Sequence, residues 1–535
     1  MSASLQGSSI ETGTSRVLWG AGWVVVGLVL LPLVGMVLSA SQPPGLVEPP
    51  PITFDRLWPL VLRTLVLATS VSVLTLSLGT WLAWVEVRAS YPGGRLLGIL
   101  AILPLAVPSY LLATIVREMM APAGTVGAFL GTQGAFTGLI PSILVLTVAC
   151  TPYVQILVGA ALRRLPVSED EAARSLGAGA WRRFIALAAP RLRPTWAFSL
   201  VLVALYVVSD FGAVAVLNCE VLTWELYKAR GARDAYVLAL GMLVCVLPLL
   251  GAVRWLHGVA EVERHQGKTR SYTPGPLGLL PCCFSYVSHA VVVGIGVVVP
   301  VVALVSWVRS GLHHGVEFAP IMDSLWTTVG YASVGGLVVL IASIPAAAVT
   351  ASGRGRFAGL MEHGVYLTSS IPGVLLAFGV LHLVLSLKRV APWSLGDVST
   401  WSWLEGGGVF LLVGYVMRFL SQGYAAVKPA ILRVDQRLLE AARSLGAGSW
   451  RRLSHVWAPS MAPGLAAAYV LLFLAVAKEL PVTLMLIPAG QQTLAYGIFD
   501  AQSEGSMPDV GVAGLLLLCL AMVVQMAVQR WRRHV

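Results

Sequence analysis

The stretch "EAARSLGAGAWRR" occupies Glu171–Arg183, and "EAARSLGAGSWRR" occupies Glu440–Arg452. The copies stand 269 residues apart and differ only at Ala180 against Ser449. The chain around them is apolar, with 57% hydrophobic and 11% charged residues and a mean hydropathy of +0.80. A soluble domain carries about 25% charged residues. No half of the chain has a soluble composition, so the whole length reads as membrane protein with connecting loops. A charged thirteen-residue segment kept twice in such a chain marks something both halves need.

Twelve apolar runs reach the ~20 residues that a span requires. They lie at 17–39, 60–85, 97–116, 137–161, 195–217, 236–256, 285–307, 325–350, 360–385, 408–430, 464–487 and 508–529. The first has only Arg16 ahead of it and exceeds a signal-peptide core, so it is expected to remain as a span. With the N-terminus in the cytoplasm, 25 of the 36 Lys and Arg residues fall on cytoplasmic loops, against fewer than half of the 25 acids. That bias predicts both termini inside. The net charge of +11 is thus a topology signal, and no nucleic-acid partner is expected. The six cysteines lack metal or disulfide spacing and read as small apolar fillers.

Both thirteen-residue segments fall on predicted cytoplasmic loops, with six spans between them, so the repeat is parallel. It extends beyond the loops. "VPSYLLA" (Val107–Ala113) matches "IPGVLLA" (Ile371–Ala377), Pro190 and Pro194 match Pro459 and Pro463, and Asp210 matches Glu479. The expected fold is all-α: a polytopic membrane protein of about twelve transmembrane helices in two parallel six-helix repeats. The first half is 1–270 with its loop at 168–194, and the second is 271–535 with its loop at 437–463. A Gly-, Pro- and Ser-containing seam at 266–284 reads as the linker.

Within the first loop, Ser168 and Glu171 fit an S-x-x-E capping box. Ala172 and Ala173 favour helix, and Gly177 can end it in the left-handed conformation. The second copy has Arg437 where the first has Ser168, and Asp435 is the substitute cap. A short helix, a glycine turn and an amphipathic stretch bearing Trp181, Arg182 and Arg183 would lie at the membrane face. A plain interfacial anchor explains the Trp and Arg. It does not explain why Glu171 and Gly177 recur as Glu440 and Gly446, which favours docking of a soluble partner.

E-A-A-x-x-x-G on a cytoplasmic loop resembles the "EAA" coupling motif of ABC importer permeases. The resemblance covers all twelve spans and implies that Glu171, Ala172, Ala173, Gly177, Glu440, Ala441, Ala442 and Gly446 engage two copies of a cytoplasmic ATPase. It implies further a bacterial inner-membrane permease, fed by an extracytoplasmic substrate-binding protein, whose two halves rock between outward and inward access. ATP and Mg would be bound by the partner subunit, with no cofactor in this chain. Gly267-Lys268-Thr269 lacks the glycine that a phosphate-binding loop needs five residues earlier, where Val262 stands. No catalytic and no metal-binding set is expected, and the adjacent His313 and His314 read as solvated.

"SDFGAVAVL" (Ser209–Leu217) and "KELPVTLMLIP" (Lys478–Pro488) look like fused ferric-iron permeases. Thiamine permeases are also fused, but they resemble a pattern with S/G-D-F-G in the second half, where this chain has KELP. Ferric iron is therefore the expected cargo, with thiamine or another small solute as the alternative. An ion-gradient-driven twelve-span secondary transporter is the rival of a different class, and the paired loops speak against it. Charge at mid-membrane costs about 2.5–3.5 kcal/mol, so Asp210, Arg418, Lys478 and Glu479 are candidates for the pathway or its gate. The competing reading is ion pairing that only holds the bundle, such as Arg418 with Glu479. Pro190, Pro194, Pro459 and Pro463 read either as rigid links to the loops or as helix starts.

Overall fold

The computed structural model describes residues 18–27, 54–229, 234–262, 274–314, 316–352, 356–368, 371–390 and 406–534. Gly267-Lys268-Thr269 and the first part of the seam lie outside the described residues. Among the described residues, eight helices are long and apolar enough to cross a membrane: Phe54–Arg88, Leu139–Arg163, Trp181–Ser209, Leu279–His313, Phe318–Ala351, Val409–Leu432, Trp450–Ala477 and Met507–Val524. A ninth candidate is a pair, Gly94–Ala106 and Ser109–Met120, bent by 101°. Three shorter apolar helices, Leu18–Gly27, Asp234–Leu249 and Gly373–Leu385, fall at the remaining positions. Each apolar run read from the sequence thus has a helical counterpart. Helices are the form in which such runs satisfy their own backbone in hydrocarbon.

The repeat is visible in lengths and caps. The helices Phe54–Arg88 and Phe318–Ser352 both have 35 residues. At 1.5 Å per residue each is about 52 Å long, more than the ~30 Å hydrocarbon core. Each therefore tilts or projects beyond the bilayer. Thr64 Oγ1 accepts the N–H of Leu222 at 3.1 Å, and Thr328 Oγ1 accepts that of Leu494 at 2.7 Å. Both bonds cap the start of a helix that follows a turn. Those turns carry Asn218 at φ +51° and Gly490 at φ +81°, each four residues before the capped leucine.

Close helix crossings use small residues, as membrane interfaces do. In the first half a Cβ on Gly79 would lie 2.7 Å from that of Val154. In the second half the small partner has changed sides: Gly423 lies against Ser343.

The chain forms two compact units that are discontinuous in sequence. One comprises 1–43, 318–497 and 519–535, and the other comprises 44–317 and 498–518. The helix at 18–27 thus belongs with the second repeat, where a Cβ on Gly22 would meet Met361. The helix beginning at Leu279 belongs with the first, where Val292 and Val293 join Leu82 and Ala101 in a buried cluster. Helix already covers 279–284, so the irregular part of the seam is shorter than its composition suggests. At Gly275–Pro276 it pairs in parallel with Ala89–Ser90.

Four spans are not the straight rods that hydropathy draws. The third breaks at Val107–Pro108 and the ninth before Gly373, after Ile371–Pro372. Proline removes a donor and disfavours helix at the preceding residue, which accounts for both breaks. The fifth ends at Ser209 and resumes as the short helix Gly212–Val216. The eleventh ends at Ala477 and resumes as Pro481–Leu486.

Candidate functional site: paired loop helices and broken spans

The first loop helix runs from Val167 to Ser175. The expected capping box is absent. Pro166 occupies the N-cap, the helix begins at Val167, and no side chain caps it, so Ser168 lies inside the first turn. The neighbouring acids take another role. Glu169 pairs with Arg191 at 2.6 Å and Asp170 with Arg183 at 3.4 Å. Both arginines belong to the following helix, so two ion pairs hold the loop helix against it. The second loop helix, Gln436–Ser444, has leucines, Leu438 and Leu439, at the positions of those acids. As expected, Asp435 caps it, accepting the N–H of Arg437 at 2.9 Å.

Both helices end identically. Gly177 and Gly446 have φ of +78° and +76°. Gly177 N–H donates to Arg174 O, and Ala178 N–H to Ala173 O. Gly446 N–H donates to Arg443 O, and Ala447 N–H to Ala442 O. This pair of bonds closes a helix through a left-handed residue, where glycine alone carries no Cβ penalty.

The exposed faces match too. Glu171, Ala172, Glu440 and Ala441 are exposed, and Ala173 and Ala442 are half-buried. Leu176 and Leu445 are each 86% exposed, and Trp181 and Trp450 are 71% and 77% exposed. The same two apolar side chains thus stand open at equivalent positions of both loops. The leucines carry no sequence signal beyond their repetition within the thirteen-residue segments.

The amphipathic stretch after each glycine is not a separate surface element. It is the start of a span: Trp181–Ser209 in the first half and Trp450–Ala477 in the second. Pro190 and Pro459 sit just past π-helical turns at Phe184–Ala188 and Leu453–Trp457. A proline ring clashes with the carbonyl four residues earlier, and a wider turn relieves that clash. The loop helix is thereby joined through a four-residue link, 176–179 or 445–448, to one helix that runs to the break at Asp210 or Lys478.

At the first break, Asp210 is buried. Its Oδ2 accepts the hydroxyl of Ser109 at 2.5 Å, and its Oδ1 accepts the N–H of Ala213 at 2.9 Å. Thr223 donates to its carbonyl at 3.2 Å. Ser109 starts the helix after Pro108, so Asp210 ties two broken spans together. Gly212 lies against Tyr110, and Arg117 Nη1 donates to Val216 O at 3.0 Å, at the negative end of the short helix.

The second break has the same plan and different chemistry. Glu479 is buried, its Oε1 faces Val482 N–H at 3.4 Å, and Thr483 donates to its carbonyl at 2.8 Å. Where the first half has Ser109, the second has Gly373. A Cβ there would lie 3.1 Å from Glu479 Oε1 and 3.6 Å from Arg418 Nε. Arg418 Nη1 donates to Ile371 O at 3.3 Å, across the break that precedes Gly373. Lys478 is the C-cap of the preceding helix and is half-buried. Of the four candidates, the structure gathers Arg418 and Glu479 around Gly373, and places Asp210 at the equivalent break with Ser109. Ser109 and Gly373 were missed, although the "VPSY" and "IPGV" match contains both.

The sequence matches, twice, the family described as binding-protein-dependent transport system inner membrane component, at 53–261 and 339–535. The chain belongs to that family. It is a two-half, multi-pass inner-membrane permease, a transport subunit of a system whose partners include, in general, an ATPase and a substrate-binding protein. The Fe(3+)-transport system permease protein FbpB 2 of Haemophilus influenzae is 23% identical over 506 residues, covering 92% of this permease and 94% of that relative. The molybdenum transport system permease protein ModB of Escherichia coli is 30% identical over 166 residues, covering 30% of this permease and 72% of the relative. The putative 2-aminoethylphosphonate transport system permease protein PhnV of Salmonella typhimurium is 24% identical over 217 residues, covering 41% and 76%.

Proposed function

We propose that this permease is the transmembrane subunit of an ATP-driven importer that carries ferric iron delivered by an extracytoplasmic binding protein. The observation that carries the coupling role is the matched pair of loop helices. Each ends on a left-handed glycine, and each exposes a leucine and a tryptophan at equivalent positions. Two equivalent surfaces suit two copies of one ATPase subunit, docking against Glu171, Ala172, Ala173 and Gly177 in one loop and Glu440, Ala441, Ala442 and Gly446 in the other. ATP and Mg are then bound by that partner. The basic loops support a cytoplasmic position for these helices and both termini.

Ferric iron follows from FbpB 2, which matches across both halves, whereas ModB and PhnV each match less than half of this chain. Each loop helix leads through a short link into a span that runs to a helix break. Movement at the loop reaches the break because the helix between them is continuous. ATP binding by the partner favours the state in which the loops sit together, and a ligand shifts such an equilibrium only by its differential affinity for the two states.

The test is uptake of labelled ferric iron and of labelled thiamine in cells with and without this gene, and in cells lacking the ATPase. Iron uptake that needs both genes is expected. Thiamine uptake would redirect the cargo, and uptake that survives loss of the ATPase would replace ATP coupling with an ion gradient.

A further inference from the structure

The two loop helices carry the same stripe and end it differently. Residues at i, i+3, i+4 and i+7 share one face of a helix. In the second loop these are Leu438, Ala441, Ala442 and Leu445, and in the first they are Glu169, Ala172, Ala173 and Leu176. Leu438 is 54% exposed, and Ala441 and Leu445 are exposed beyond it, so the second stripe is apolar along its whole length. The first stripe closes instead on Glu169, whose carboxylate pairs with Arg191 at 2.6 Å, both side chains being 41% exposed. Both members of that pair change together in the other half, where Ser460 stands at the position of Arg191. Asp170 is likewise bound by Arg183 at 3.4 Å, and the second loop has Leu439 in its place. The acids of the second loop helix and its cap are Asp435 and Glu440. Asp435 accepts the N–H of Arg437, and among the described residues neither acid makes an ion pair.

We infer that the two loops are unequal seats for the ATPase subunit, and that the second-half loop holds its copy more tightly and with less dependence on salt. The inference rests on the docking role proposed above. A partner that covers the second stripe removes one more leucine from water, which favours association about tenfold. A partner that covers the first stripe meets a carboxylate and a guanidinium that already satisfy each other. Stripping their remaining water gains no new pair. Salt screens a half-exposed ion pair, so it also loosens what holds the first loop helix against the helix that follows. The second loop helix has no such tie to lose. Glu171 and Arg174 recur as Glu440 and Arg443, so any salt dependence of their contacts is common to both seats. The occupant that fits is a protein. Two alanines in the middle of each stripe permit close backbone approach, and an exposed acid, Glu171 or Glu440, borders each. A helix lying on lipid carries bulky apolar residues there and basic ones at the border.

The experiment uses the full permease in lipid nanodiscs and the ATPase subunit that co-purifies with the tagged wild-type permease, then produced alone. Leu176→Ser leaves the second seat intact, and Leu445→Ser leaves the first. The ATPase is titrated onto each at about 0.1 M and about 0.5 M NaCl, and native mass spectrometry counts the copies per permease. Wild-type permease should take two copies. The second seat alone should half-saturate at a concentration at least about fivefold below that of the first alone. The higher salt should weaken the first seat at least about threefold more than the second. Leu438→Glu added to Leu176→Ser should raise the half-saturating concentration at least about fivefold with the thermal midpoint of the permease unchanged, and Leu438→Ser should raise it by a smaller factor. Glu169→Leu with Arg191→Ser, added to Leu445→Ser, should lower it by a similar factor and remove most of the excess salt dependence.

Equal half-saturation at the two seats overturns the inference and leaves the docking role standing. It is equally overturned if Leu438→Glu binds the ATPase as tightly as its parent. Should that variant instead lower the thermal midpoint in nanodiscs while ATPase binding is unchanged, the stripe lies on lipid and the inference falls. A wild-type permease that takes no ATPase at any concentration removes the docking role itself, and the ranking of seats with it.

Discussion

Gly177 and Gly446, 269 residues apart, hold the same left-handed backbone, at φ +78° and +76°, and close their helices with the same two hydrogen bonds, one donated by the glycine N–H and one by the N–H of the following alanine. Nothing lies within 4 Å of the Cβ position at either glycine, so space is not what excludes a side chain. The backbone conformation is. A residue with Cβ costs about 1–2 kcal/mol there, and asparagine costs less.

The substitution series at these glycines should therefore follow conformation rather than size. Gly177→Asn and Gly446→Asn should retain most uptake. Gly177→Val and Gly446→Val should lose it, as should Gly177→Asp with Gly446→Asp, while all insert normally into the membrane. Uptake and co-purification of the ATPase, scored against membrane abundance, check the order. Normal uptake in the valine pair would remove the loop helices from the coupling role.

Leu176 and Leu445 make few contacts in this chain, being 86% exposed each. Leu176→Ser and Leu445→Ser should shift the thermal stability of the purified permease by less than about 0.5 kcal/mol. The pair should nonetheless reduce ATPase co-purification severalfold. The two measurements together separate a docking surface from a packing one.

The turns before Leu222 and Leu494 offer a test away from the loops. Asn218 adopts φ +51°, and its counterpart Gly490 adopts φ +81°. Asn218→Gly should leave thermal stability nearly unchanged. Asn218→Val should destabilise by about 1–2 kcal/mol, the penalty of a Cβ in the left-handed region. Calorimetry of the detergent-solubilised permease reads the difference.

An ion pair, Glu362–Lys428 at 2.6 Å, sits beside the Thr350–Tyr424 hydrogen bond of 2.7 Å. In the first half Glu86 serves at the same level, bonding Arg163 at 2.5 Å and Gln155 at 3.0 Å. Glu362→Gln should lower the thermal midpoint by an amount equivalent to about 1–3 kcal/mol, between the exposed and the buried limits for an ion pair. Lys428→Met added to it should recover part of the loss, since no unpaired cation then remains. A double-mutant cycle on the thermal midpoint provides the check.

Hydropathy located the apolar helices, eight of them long enough to span among the described residues, because a segment's transfer into hydrocarbon depends on its own composition. The repeat was equally open, because identical segments such as Glu171–Gly179 and Glu440–Gly448 need no structure to be recognised. Glycine at the loop ends was legible for the same local reason, since positive φ is a property of one residue. The Ser168 cap was not, because Pro166 sets where the helix starts and the neighbouring acids reach arginines 13 and 22 residues onward. Asp210 and Glu479 were identified as intramembrane acids from sequence, but their partners were not. Ser109 is 101 residues from Asp210, and Gly373 is brought to Glu479 only when two broken helices meet. Composition and short-range geometry thus determined which segments form apolar helices and which recur. Packing alone decided where those segments break and what each buried charge touches, because such contacts join residues that no sequence window contains.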